Sequence, residues 1–172
     1  TITGQPHCKV THQGIADEST WARGHAWALY GYTMMYRESK KPEYLALAQH
    51  VAAYLMNHPN TPADRIPYWD YDVEVTPETP RDASSAAIMA SALIELSTHL
   101  GKDKGQKYLD YAEQLLRSLT SPEYLATAGS NGHFTLMHST GNLPANSEID
   151  VPLSYADYYY VEALLRMKKL LE

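Results

Sequence analysis

Several things are scarce in this chain, and each scarcity closes off a class of function. There is one cysteine, Cys8, so no intrachain disulfide can form and the compartment stays open between a bacterial cytoplasm and periplasm. No apolar run is long enough to cross a bilayer, which argues against a membrane partner. The opening residues Thr1-Ile2-Thr3-Gly4 carry neither the basic nor the apolar stretch of a secretory signal. They also lack an initiator Met, so Thr1 is not expected to be a natural start. The net charge of −6 opposes a broad phosphate-binding surface, hence nucleic acid, although one arginine can still bind an anion locally. Phosphate loops, dinucleotide fingerprints, H-E-x-x-H and G-x-S-x-G are all missing. The eight histidines are scattered, and Cys8 with His7 and His12 is too small a set for a zinc site.

What is present is tyrosine. The chain holds Tyr 14, Trp 3 and Phe 1 among 172 residues, a number that accommodates one domain over 1–172 with a real core. Tyrosine joins apolar area to a polar tip, which suits either helix packing or a wet, sugar-lined cleft.

Periodicity predicts five helices, over 20–38, 42–58, 83–100, 104–119 and 153–171. Pro42 and Glu43 fit a first turn, Asp82 an N-cap, and Gly101 the residue that closes a helix. A short extended pair near 133–137 is the one β element expected. The second and fourth helices carry a single apolar stripe each, whereas the first, third and fifth are apolar nearly all round. That order, covered and half-exposed in turn, fits stacked helical hairpins with inner and outer helices. An open α-solenoid is the alternative, and no fixed-period repeat supports it. The long connections, 60–81 and 120–152, lead into the N-terminal ends of covered helices. Loops of that length are usually functional, and helix N-termini favour anions, so the site is expected on that face.

The most informative stretch is Thr20-Trp21-Ala22-Arg23-Gly24-His25-Ala26-Trp27. On a helix Arg23 and Trp27 are four apart and share a face. Guanidinium suits a carboxylate and indole the flat face of a sugar, so an acidic sugar calls for both. The plainer alternative pairs Arg23 with Asp17 or Glu18 and puts Trp27 in the core. His12 and Gln13 can hydrogen-bond hydroxyls or simply complete a turn. Asp70 and Asp72 read as turn carboxylates bonded to backbone, with a catalytic role as the alternative. His138, Ser139, Thr140 and Gly141 occupy the last long loop.

Together with Pro67-Tyr68-Trp69-Asp70-Tyr71-Asp72, Pro80-Arg81-Asp82-Ala83-Ser84 and the run from Asn146 to Tyr159, these motifs resemble the C-terminal half of an unsaturated glucuronyl hydrolase. The resemblance implies an all-α fold, the C-terminal part of an (α/α)6 barrel lacking its N-terminal half. It implies removal of a 4,5-unsaturated uronic acid from the non-reducing end of lyase-generated, glycosaminoglycan-type oligosaccharides. The chemistry it implies is protonation of the C4=C5 bond by a carboxylic acid, addition of water at C5 and opening of the hemiketal, with no cofactor. His12, Gln13, Arg23 and Trp27 would then bind the substrate, with His138 and Ser139 toward the next sugar. His12, Asn142 and Leu143 stand where relatives preferring sulfated substrates carry basic or Ser/Lys patterns, so a weaker preference for sulfate is expected. The catalytic Asp would lie upstream of Thr1, leaving this chain inactive by itself and its outer hairpin faces open to self-association or to an N-terminal half. An unsaturated rhamnogalacturonyl hydrolase and a non-catalytic sugar-binding or scaffold module are the competing readings.

Overall fold

A computed structural model describes residues 3–172. Thr1 and Ile2, on which the reading of the opening residues partly rests, lie outside them. The described residues form four long helices: α1 (Ala22–Ser39), α2 (Pro42–Met56), α3 (Ala83–Leu119) and α4 (Ser154–Leu171). Two short 3-10 turns, Asn131–His133 and Leu143–Ala145, interrupt the last long loop.

The expected third and fourth helices run into one another as α3, but Gly101 breaks it with φ 73° and ψ 171°. That conformation is open to glycine and strained for other residues. Beyond the break the chain folds back. A Cβ added to Gly105 would lie 2.4 Å from the Ser97 carbonyl oxygen. Residues eight apart in a straight helix are separated by about 12 Å, so α3 is a hairpin whose arms meet at Gly105. Asp82 caps its N-terminus as expected, accepting from Ser84 N–H at 3.1 Å.

Side-chain pairs fix the directions of the elements. Arg23 meets Asp82 and Tyr155, Trp27 meets Tyr159, Ser91 meets Glu162, and Glu95 meets both Arg37 and Arg166. Position numbers rise together in all these contacts. Thus α1, the first arm of α3 and α4 run parallel, with their N-termini at one end. Helix α2 runs back along α1, since Thr20 Oγ1 bonds Tyr54 OH at 2.7 Å while Tyr32 stacks on Tyr44. Parallel inner helices joined by antiparallel outer ones are the arrangement expected of part of an (α/α)6 barrel. Both long connections, 60–81 and 120–152, gather at the N-terminal end, where the segment before α1 joins them.

The core is small-residue-rich where helices touch. Ala22, Ala26, Ala86, Ala87, Ala90 and Ala156 are fully buried and let the inner helices approach closely. Leu29, Leu93, Leu96, Leu115 and Leu119 fill the space between layers. Each such leucine contributes about 1.5–3 kcal/mol of burial energy.

One expectation needs correcting. The first, third and fifth predicted helices were to be covered on most sides, and only the first arm of α3 is, with every residue from 83 to 97 buried. It has α1 on one side and α4 on the other, whereas α1 and α4 each stand at an edge of the stack. Met34 and Met35 on α1, and Tyr158, Val161 and Leu165 on α4, are accordingly exposed. The expected extended pair is reduced to an isolated bridge, Leu125 with Leu136.

Candidate active-site wall

Arg23 lies in the first turn of α1 and is only 3% exposed. Its Nη1 donates to Asp82 Oδ2 at 3.0 Å and to the Thr140 carbonyl, and its Nη2 donates to the Gly141 carbonyl. The Trp21 and Tyr155 rings both pack against it, with centroids 5.0 and 5.5 Å from the guanidinium carbon. An unpaired guanidinium at this depth would be costly, and this set of partners removes that cost. The partner is Asp82, not Asp17 or Glu18, because the cap of α3 faces the first turn of α1. Asp17 instead accepts from Thr11 N–H, and Glu18 is exposed.

The guanidinium keeps one loosely used direction. Nη2 reaches Gln13 Oε1 at 3.5 Å, the outer limit of a hydrogen bond. Gln13 is half-buried and His12, beside it, is exposed. This loop is shaped by Asp70, whose carboxylate accepts from Ile15 N–H, Ser19 Oγ and Asp72 N–H. Asp72 in turn accepts from Thr20 N–H at 2.7 Å. Both are therefore turn carboxylates that organise the approach to α1.

Trp27 sits one turn below Arg23 and is half-buried. Its ring meets Tyr159 edge-on at 5.0 Å and Tyr30 at 6.4 Å. Tyr155 and Tyr159 are themselves one turn apart on α4. Arg23 with Tyr155, and Trp27 with Tyr159, thus form two successive layers of one wall. Arg23 and Trp27 share a helix face, as their spacing indicates, although tyrosines from α4 complete that face. The sequence signal for them was present in the Ser154-Tyr155-Ala156-Asp157-Tyr158-Tyr159 run, but which helix they would meet was not.

The last loop closes the site from above. His138 has φ 62°, its carbonyl accepts from Ala83 N–H at 3.0 Å, and its Nδ1 lies 2.6 Å from Asp150. Ser139 and Val151 exchange backbone hydrogen bonds at the loop's neck. Ser139 itself is fully buried, so the surface that this loop offers comes from its half-exposed neighbours His138 and Asn142. Asp157 accepts from the Thr135 and Leu136 amides and anchors the preceding segment to α4. The Tyr155 phenol is pushed above its usual pKa, first by burial, while Arg23 pulls it down and Asp82 and Glu148 push it up. Among the described residues, no group of three or more metal-ligating side chains is found.

Comparison with known proteins gives a consistent picture. No protein-family model matches the chain. The unsaturated glucuronyl hydrolase of Formosa agariphila is 50% identical over 171 residues, which cover 99% of this chain and 42% of that protein. The unsaturated chondroitin disaccharide hydrolase of Streptococcus pneumoniae is 34% identical over 169 residues, 97% of this chain and 42% of its own length. A crystal structure of an unsaturated glucuronyl hydrolase specific for heparin superposes with a TM-score of 0.95 at 53% identity, covering 98% of this chain and 45% of that one. A variant of the Streptococcus agalactiae enzyme, complexed with dGlcA-GalNAc6S, superposes at 0.85 with 32% identity, covering 99% and 45%. The chain therefore spans under half the length of the relatives it matches.

Proposed function

From the kinship of this chain, along nearly its whole length, with the unsaturated glucuronyl hydrolases, we propose that it forms the substrate-binding wall of a glycosidase of that kind. The substrate class is a lyase-generated oligosaccharide ending in a 4,5-unsaturated uronic acid. The observation that carries the reading is the layered wall at the common N-terminal end of three parallel helices, Arg23 with Gln13 above and Trp27 below. The long Gln13 contact is the one a sugar oxygen would replace, giving Arg23 Nη2 a polar group of the uronate. Trp27 would supply area for the ring, and His12 and His138 would border it. Ser139 would hold the neck of the loop that faces the next sugar.

The reaction proposed is hydration of the C4=C5 bond: an acid protonates the double bond, water adds at C5, and the hemiketal opens to release the remaining sugar. The acid is not assigned to this wall. Asp70, Asp72, Asp82 and Asp157 are each held by backbone or side-chain donors, Asp150 faces His138, and Glu148, which has no hydrogen bond or ion pair among the described residues, is exposed to solvent. We place the acid on residues beyond this chain, which by itself should turn over negligible substrate. The glucuronyl reading is preferred to a rhamnogalacturonyl one because the relatives above are named for glucuronyl and chondroitin substrates.

Titration of the 172-residue chain with an unsaturated uronyl disaccharide tests the wall. Saturable binding, lost in Trp27→Ala with the fold retained, supports it. Absence of binding to any such disaccharide overturns it, and steady loss of the double-bond absorbance on addition of the chain would overturn the placement of the acid.

A further inference from the structure

The Trp27 indole is oriented by rings alone. Among the described residues its Nε1–H makes no hydrogen bond, and neither does the Tyr159 hydroxyl. Tyr159 and Tyr30 meet the indole edge-on, at 78° and 89°. They meet each other at 77°, with centroids 5.1 Å apart. Each ring of this trio limits the planes open to the other two.

Of the three, Tyr30 alone is tethered by its polar tip. Its hydroxyl donates to Glu162 Oε1 at 3.2 Å and accepts from Arg166 Nη2 at 3.5 Å. Burial first, and the Glu162 charge next, push the Tyr30 pKa up to about 12, so the phenol keeps its proton and stays a donor at neutral pH.

Glu162 is itself held. Its Oε2 accepts from Ser91 Oγ on α3, and Arg166, one turn further along α4, lies 3.5 Å from the same oxygen. Trp27 and Tyr30 are three apart on α1, as Tyr159 and Glu162 are on α4, so each pair shares a face. Glu162 therefore joins α1, α3 and α4 in the layer directly below the aromatic one. Both of its oxygens are engaged in that joint.

Resting on the reading of Trp27 as the surface that meets the sugar, we propose that Glu162 is a positioning residue for the uronyl site. Through the Tyr30 hydroxyl it sets the plane in which the indole is presented. Without that anchor the rings still pack, but the indole gains freedom that binding must then remove.

The test pairs calorimetry with NMR on the 172-residue chain. The probe is an unsaturated glucuronyl-N-acetylglucosamine disaccharide. Three tryptophans give three indole N–H signals, and Trp27→Phe assigns the relevant one. Tyr30→Phe keeps the ring and removes the anchor. It should weaken binding about tenfold, the worth of one hydrogen bond to a charged group, and shift or broaden the Trp27 signal of the free chain. Glu162→Ala should do the same, and the double variant should be no worse than either single. Glu162→Gln keeps an acceptor oxygen and should stay within about threefold of wild type. Gly105→Ala, which strains the α3 hairpin instead, should lower stability without moving either readout.

An unchanged Trp27 signal and unchanged affinity in folded Tyr30→Phe overturn the role of Glu162 and leave the uronyl site standing. So does a loss in Glu162→Gln equal to that in Glu162→Ala, or the same loss in Gly105→Ala. Failure of the wild-type chain to bind the disaccharide overturns the site itself and this inference with it.

Discussion

Arg23 and Asp82 form a buried ion pair, 3.0 Å from Nη1 to Oδ2, that joins the first turn of α1 to the cap of α3. Because the guanidinium also takes two carbonyls from the last loop, a single pair ties three chain segments together at the site. Asp82→Ala should destabilise the chain by about 3–5 kcal/mol, because a guanidinium is left unpaired in the interior. Urea midpoints at neutral pH measure this. A loss under 1 kcal/mol would mean that solvent reaches Arg23 far more easily than its burial indicates.

At the opposite end, Glu95 accepts Arg37 through both carboxylate oxygens at 3.0 Å and also takes Arg166 from α4. Arg37 and Arg166 share that acceptor, so their removals should not add. The double variant Arg37→Ala with Arg166→Ala should deviate from the sum of the singles by at least about 0.5 kcal/mol in a mutant cycle. Strict additivity would show that the two cations act separately.

His99 gives the chain an acid-side dependence. Its pKa is lowered from 6.5 by burial first, against an opposing attraction to Glu95. A histidine whose folded pKa is depressed binds its proton more readily when unfolded, so stability is full above the ordinary value and falls as pH drops below it. Wild type minus His99→Gln, followed by denaturant unfolding from pH 7.5 to 5, isolates this contribution from the other histidines. The difference should grow against the wild type as pH falls, and a flat difference would rule out the buried imidazole as its source.

The α3 hairpin depends on a missing side chain. Gly105→Ala would put a methyl 2.4 Å from a backbone carbonyl that cannot rotate aside. A cost of about 1–3 kcal/mol is expected, read as a lower melting temperature with unchanged helical signal at low temperature. Gly31, with nothing near its Cβ position, provides the control, where Ala should be neutral or stabilising through helix propensity.

Much of this was legible before any coordinates. The first turn at Pro42, the cap at Asp82, the break at Gly101 and the turn roles of Asp70 and Asp72 are local chemistry, written within a few residues of where they act. The four-residue spacing of Arg23 and Trp27 likewise put both on one helix face. Other features could not be read that way. Whether Arg23 met Asp17, Glu18 or Asp82 depended on which helix end came to lie beside it, 59 residues along the chain. The burial of Ser139 and the freedom of Glu148 depended on how a loop with several left-handed residues closed on itself.

Sequence by itself determined the helices, their ends and the residue types that suit an acidic sugar, because propensity, capping and periodicity act over one or two turns. Tertiary structure alone decided which charges neutralise one another, which helices are covered on both sides and which carboxylate stays free. Those outcomes depend on distances between segments far apart in the chain, and a few ångströms there separate a satisfied ion pair from an open one.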